Sequence, residues 1–505
     1  MGETSLPESQ LGVGVSACPK EVLEYLGTQI GSLAVKSIRV QELQSAQHQV
    51  LLLQFSHLSK NNNNGNNSPT VALCDDDDDD DAWNQALMNG SGRLIVRIWE
   101  GSSRWWNLHN QEEATATVTE LSLQELARSE VAGYRIARRA FQQTCDYSDA
   151  IRIPAVLAFS LELSEVTGVV VQSVGSRCWA VMEYVGQQST HFGQSTSNNN
   201  KWDDSWSTGM IKVRDEFGFT EPHPRWGRVP VDECLEYTLA VLRQVTLPLH
   251  RYLGRNSHAL VPAIKGLAGI QTMKRTAPSS GNDTDTVLRG YTYIYMVQLY
   301  QTAHSRMKQA LRDPDASLNN AVRLLGKATA QLYKEAVTYN SEHEPLPPVL
   351  VHMDCQPQNL LFARTGTTAH VSGASKTAAT AASKSKDHIS SVLDWEEAAF
   401  ADPRFELLLL CRKVCANRQQ ADQVWKVYQE ELPQPNLGPI EPWLKLETVH
   451  SITTLLLQSM DLLGGGRSPW ETKPDLWGKI RREFCRLQSA GWDFCDVEAL
   501  ETATV

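Results

Sequence analysis

Val349-Leu-Val-His352-Met-Asp354-Cys-Gln-Pro-Gln-Asn359-Leu-Leu-Phe362 is the stretch on which the reading of this 505-residue chain turns. Apolar residues that suit strands bracket a short polar loop. The loop carries a carboxylate, Asp354, and five residues later a side-chain amide, Asn359. An apolar strand on either side would hold both groups on one tight loop. A second stretch has the same design: Ser391-Val-Leu-Asp394-Trp-Glu-Glu-Ala-Ala-Phe-Ala-Asp402-Pro-Arg-Phe-Glu406-Leu407. There a short apolar strand ends in a carboxylate, and an Asp-Pro pair opens a helical pattern.

Two carboxylates and an amide at such positions match what phosphoryl transfer requires. A carboxylate must orient and deprotonate the attacking hydroxyl, and hard oxygen donors must hold magnesium against the phosphates. A cation must also cradle those phosphates. The competing use of Asp and Asn is ordinary capping and turn formation. Three such residues in order, each beside an apolar strand, favour the chemical use.

These segments resemble the aminoglycoside phosphotransferase and choline kinase-like family, relatives of protein kinases. The shared marks are H-x-D-x-x-x-x-N at His352–Asn359, then D-W-E at Asp394–Glu396 and D-P at Asp402–Pro403. Asp354-Cys-Gln also resembles choline kinases, and Asp402-Pro403…Glu406-Leu407 the aminoglycoside phosphotransferases. The resemblance implies an α+β, two-lobed protein kinase-like fold with a small antiparallel sheet lobe and a large, mostly helical lobe. It implies ATP and Mg2+ as the cosubstrate and metal. Asp354 would be the base or hydroxyl-positioning group, and Asn359 and Asp394 the magnesium ligands. His352 and Asp402 would give structural support.

Upstream, Leu94-Ile-Val-Arg97-Ile-Trp99 resembles the small-lobe strand whose cation reaches the nucleotide phosphates. Leu94, Val96 and Ile98 alternate there against Ile95, Arg97 and Trp99. Arg is always charged and binds bidentately, so it suits that role. Glu130 matches the helix glutamate that pairs with this cation. Met182-Glu183-Tyr-Val185-Gly186 resembles the linker between lobes, where the Glu183 carbonyl and the Val185 amide would meet adenine. Two departures stand out. Leu43–Gln49 contains no Gly where the family has a permissive turn. Residues 364–390 lengthen the hairpin between Asn359 and Asp394, at little cost in closure entropy.

The rest of the chain is consistent with an enzyme of this size. Hydrophobic residues make up 41% and charged residues 21%, which suffices for a large core. Seven of the excess negative charges lie in Asp75–Asp81, so the net charge of −11 points to no partner. No long basic stretch suggests nucleic acid. The ten cysteines are scattered without metal spacing and fit a reducing compartment. The N-terminus lacks the pattern of a secretory signal, and Leu6 stands where a myristoylation site wants Ser or Thr. No apolar run reaches membrane-span length. The expectation is a cytoplasmic protein with a small-molecule acceptor, no nucleic-acid partner and no membrane span.

Residues 1–34 read as an N-terminal extension, 35–186 as the small lobe and 187–505 as the helical lobe with its catalytic loop at 352–359. Within these, 60–92 reads as a disordered insert, and 187–207 and 364–390 as surface loops. Strands are expected at Ser37–Glu42, Val50–Phe55, Leu94–Trp99, Ala155–Phe159, Gly168–Gln172, Cys178–Val185, Asn359–Phe362 and Ser391–Leu393. Helices are expected at about 122–142, 231–253, 287–312, 316–340, 404–430, 445–463 and 475–490. The functional expectation is phosphorylation of a hydroxyl on choline, ethanolamine, another amino alcohol or a sugar-like alcohol. The alternative is a catalytically weak or inactive pseudokinase serving as a scaffold. Trp395, Glu396 and Glu397 could receive a cationic amine, or Trp395 could simply pack.

Overall fold

The structure is a computed structural model, and it describes residues 18–30, 38–43, 49–55, 79–89, 92–99, 123–144, 151–167, 177–185, 231–256, 271–274, 286–289, 346–355, 359–363, 388–415, 418–432, 436–440 and 443. In chain order the elements begin with α1 (Lys20–Ile30), β1 (Ile38–Leu43), β2 (Gln49–Phe55), α2 (Asp79–Asn89) and β3 (Arg93–Trp99). Next come α3 (Leu123–Thr144), β4 (Val156–Phe159), α4 (Ser160–Thr167), β5 (Cys178–Glu183) and α5 (Val231–Val241). A π turn (Leu242–Thr246) leads into α6 (Leu247–Asn256), followed by β6 (Gln271–Lys274), β7 (Thr286–Arg289), β8 (Val349–Val351) and β9 (Leu360–Ala363). The last are β10 (His388–Val392), a 3-10 turn (Trp395–Glu397), β11 (Ala399–Ala401), α7 (Pro403–Val414) and α8 (Arg418–Glu431). The fold is therefore α+β, as expected. Contacts divide it into one unit of Met1–Ser102 with Arg152–Ser189 and another of Ser103–Ile151 with Thr190–Val505.

The first unit is built on an antiparallel five-stranded sheet in the order β1-β2-β3-β5-β4. One face is closed by α1 and α2. Leu94, Val96 and Ile98 of β3 join Leu51 and Leu53 of β2, Trp179 and Val181 of β5, and Val22 and Leu26 of α1 in a single core. Ile95, Arg97 and Trp99 are absent from that core, as the alternation along β3 requires. Arg97 sits mid-sheet, in register with Val50 and Ala180.

The insert expected as a loop over 60–92 contains a helix. In α2, Ala86 and Leu87 enter the core and Trp83 packs against it. The spacing i, i+3, i+4 is enough to dock one helical face. The polar run before it hides that short stripe from a composition reading. Asn89, at its C-terminus, donates from Nδ2 to Glu183 Oε1 at 3.1 Å. The buried Glu183 carboxylate also takes the Arg152 guanidinium on Oε1 and the Ala155 amide, at 3.2 Å, on Oε2. Its side chain thus ties α2 and the approach to β4 onto the end of β5.

In the second unit, the antiparallel pair β8–β11 aligns Val351 with Ala399, and the pair β9–β10 aligns Leu360 with Val392. Helix α3 packs on α6 and on the 3-10 turn, and α7 packs on α5, α8 and β8. The single helix expected over 231–253 is interrupted by the π turn. There Gln244 turns its Oε1 to the Ile389 amide at 2.9 Å and so secures β10. The helix expected over 404–430 is two helices. Cys415 leaves the helical region (φ −65°, ψ 139°), and its amide closes α7 on Cys411 O at 2.8 Å. Residues 286–289 form a strand where a helix was expected to begin at 287. The expected strand at 168–172, the helices at 316–340, 445–463 and 475–490, and the loops at 187–207 and 364–387 lie outside the described residues.

Candidate active site

The two strand pairs bring the two sequence motifs to one place. The loop 352–359 runs from the end of β8 to the start of β9, and the turn 393–398 runs from the end of β10 to the start of β11. Val351 faces Ala399, and Leu360 faces Val392, so both connections leave from the same junction. The Leu393 amide donates to Asn359 O at 2.8 Å. Asn359 therefore sits beside the residue that precedes Asp394.

Asn359 is buried, and its Nδ2 donates to Asp354 O at 2.9 Å and to Asp354 Oδ2 at 2.7 Å. Both partners are acceptors, so the amide nitrogen must be the atom that faces them. That leaves Asn359 Oδ1 as the atom a cation would take. Asp354 and Asp394 are half-buried. Two carboxylates and an amide oxygen are hard donors. Among the described residues no group of three or more His, Cys, Asp or Glu side chains could hold a metal. Hard oxygen donors of this kind are the type magnesium takes, binding through few protein groups and keeping several waters.

His352 links the two connections. Its ring Nε2 lies 2.8 Å from Leu393 O, which only accepts, so Nε2 carries the proton. Nδ1 then accepts the Asp354 amide at 3.2 Å. One neutral tautomer satisfies both bonds. The ring meets Trp395 edge-on at 4.5 Å. Trp395 is fully buried and donates Nε1–H to Val392 O at 3.3 Å, so it packs, and cation–π capture of an amine by this side chain is set aside.

Two backbone positions are left-handed without glycine: Met353 at φ 67° and Asp394 at φ 60°. Each costs about 1–3 kcal/mol unless its surroundings hold it. Glu406 Oε2 holds the first by accepting the Met353 amide at 2.7 Å. The Asp394 amide donates to Tyr134 Oη at 3.1 Å. Neither role was read from the sequence. Glu406 figured only as part of the Asp-Pro continuation, and Tyr134 lay within the helix expected at about 122–142.

Asp402 caps α7 through Oδ1 from the Arg404 amide at 2.9 Å. The Arg404 side chain closes on both oxygens, at 2.9 and 2.7 Å, and the Leu346 amide reaches Oδ2 at 3.1 Å. Arg404 also lies 4.0 Å from the centre of the Trp443 ring and donates to Leu437 O at 3.3 Å. Asp402 is thus a buried brace for α7. Cys355, next to Asp354, is buried and forms no disulfide. Burial first, and the neighbouring Cys355 second, hold the Tyr237 phenol well above its usual range.

Glu130 is buried on α3, in the second unit. Arg97, Glu183 and Val185 are buried in the first unit. The Arg97 guanidinium lies 5.9 Å from the centre of the Trp99 ring, whose edge-on neighbour is Phe159 at 6.1 Å.

No protein-family model matches the sequence, and no curated protein matches it either. Solved structures similar to the chain include a thermostable variant of aminoglycoside phosphotransferase APH(4)-Ia in complex with ADP and hygromycin B. It is 11% identical over 93% of this chain and 99% of that one, with a TM-score of 0.40. An ethanolamine kinase from Plasmodium vivax is 10% identical over 94% of this chain and 88% of its own, with a TM-score of 0.44. The streptomycin–ATP complex of APH(2")-IIa is 13% identical over 90% and 98%, with a TM-score of 0.36.

Proposed function

We propose that this chain is an ATP- and magnesium-dependent phosphotransferase acting on a hydroxyl group of a small molecule. The observation that carries this reading is the 2.7 Å bond from Asn359 Nδ2 to Asp354 Oδ2, on a loop joined through Leu393 to the turn of Asp394. Asp354 orients the acceptor hydroxyl and takes its proton as the hydroxyl oxygen bonds to the γ-phosphorus of ATP and the bond from that phosphorus to ADP breaks, ADP leaving. Asn359 Oδ1 and the Asp394 carboxylate hold the metal. Magnesium, when bound, neutralises charge on the phosphates. Arg97 serves the phosphates, Glu130 supports nucleotide binding, and the Glu183 carbonyl and Val185 amide serve the base.

Choline, ethanolamine, other amino alcohols and sugar-like alcohols are the acceptor classes. Glu396 and Glu397, half-buried just after Asp394, are the candidates for meeting a cationic amine. The absence of Gly from the sequence Leu43–Gln49 favours a weaker grip on ATP and keeps a nucleotide-binding scaffold as the second reading.

Thermal unfolding with ATP, in magnesium and in EDTA, tests the nucleotide and metal part. A ligand at a hundredfold excess over its Kd stabilises by about 2.7 kcal/mol. The expected result is a magnesium-dependent rise in Tm that Asp394→Ala loses. Equal melting in magnesium and in EDTA, with and without ATP, would remove the basis of the reading.

A further inference from the structure

We infer that Tyr134 is a positioning residue for the metal-binding carboxylate. Its hydroxyl holds the backbone of Asp394 in the one conformation that aims the side chain, and Gly133 sets the distance at which it can do so. The inference rests on the phosphotransferase reading above and names a further residue of the same site.

The geometry is specific. At the end of β10 the ladder stops with Leu393, whose amide goes to Asn359 O. Asp394 then turns to φ 60°, ψ 66°, which takes its amide out of the ladder. The Tyr134 Oη accepts that amide at 3.1 Å, from a helix 260 residues earlier in the chain. A buried N–H without a partner is costly, and a left-handed Asp relaxes readily towards other backbone angles. The phenol therefore supplies what the local chain cannot. Tyr134 itself is buried, with its ring 6.4 Å from that of Trp395.

Gly133 makes the reach possible. A Cβ built there would lie 3.0 Å from Ala398 Cβ, 3.3 Å from Trp395 Cβ and 3.4 Å from Trp395 O. These atoms belong to the 3-10 turn that follows Asp394 and to its C-cap. A side chain at 133 would push α3 and the turn apart and lengthen the Tyr134 bond. Two adjacent residues of α3, one by its hydroxyl and one by its lack of a side chain, thus grip the turn that starts at Asp394.

The test is a magnesium titration at fixed AMP-PNP, read as the thermal-shift midpoint, on wild type, Tyr134→Phe and Gly133→Ala. Tyr134→Phe removes one oxygen and keeps the ring. The expected result is a magnesium midpoint raised about tenfold, the worth of one lost hydrogen bond. The melting shift given by AMP-PNP in EDTA stays at the wild-type value. Gly133→Ala is expected to move the midpoint in the same direction, and it carries the test if Tyr134→Phe proves too unstable to titrate. Amide hydrogen exchange across 393–396, measured without ligand, is expected to quicken in both variants. A wild-type midpoint in both variants would overturn the inference and leave the phosphotransferase reading standing. Absence of any magnesium-dependent shift in wild type would overturn both.

Discussion

At the residue scale, the second unit holds a histidine with no part in the proposed chemistry. His250, on α6, is fully enclosed, with Nδ1 at 2.9 Å from Tyr428 Oη and the two rings edge-on at 5.7 Å. Burial pushes its pKa down from 6.5 to about 3. The folded state therefore keeps the ring neutral, while the unfolded chain takes up a proton below pH 6.5. The stability it contributes is fully present above pH 6.5 and is lost as pH falls towards 3. The loss approaches about 1.4 kcal/mol for each pH unit within that window. Denaturant unfolding at pH 7.5 and pH 5 is expected to show a larger drop for wild type than for His250→Gln. An equal drop in both would mean that other groups carry the acid sensitivity. His352 differs, because both of its nitrogens are hydrogen-bonded. Its neutral tautomer follows from its partners rather than from burial alone.

At the scale of elements, α2 is where composition and structure part most clearly. Leu87 sits in the core of the first unit although the seven residues immediately before Ala82, Asp75–Asp81, are all Asp. Leu87→Ala is expected to destabilise the protein by about 2–5 kcal/mol, read by denaturant unfolding. A change below about 0.5 kcal/mol would mean that α2 is a surface appendage. Strands β1, β2 and β3 were legible to within a residue, because short apolar runs mark Val50–Phe55 and Leu94–Trp99 and the latter also alternates Leu94, Val96 and Ile98 against Ile95, Arg97 and Trp99. The loop of Asp354 and Asn359 and the strands leading to it were legible for a similar reason: apolar runs end abruptly in polar residues. The π turn and the break at Cys415 were not, since neither Leu242–Thr246 nor Val414–Ala416 contains a Gly or Pro to announce a change of pitch. The grip of Tyr134 on Asp394 and of Glu406 on Met353 was illegible too. Each depends on a contact between distant segments and on a positive φ that no local pattern marks.

At the scale of the whole molecule, the chain comprises an antiparallel sheet unit and a larger, helix-rich unit that holds Asp354, Asn359 and Asp394 together. Among the described residues no helix is long and apolar enough to cross a membrane. In the proposed function this arrangement transfers phosphate to a small-molecule hydroxyl, with Asp354 handling the proton. Losing a positioned general base lowers such a rate by about 10²–10⁴-fold. The most direct measurement is ADP formation from magnesium-ATP across a panel of amino alcohols and sugar-like alcohols, with wild type and Asp354→Asn compared on each acceptor. At least one acceptor is expected to stimulate ADP formation by wild type, with its phosphorylated product detected, and Asp354→Asn is expected to lose at least a hundredfold of that rate. Acceptor-stimulated turnover that survives Asp354→Asn undiminished would contradict the proposed function.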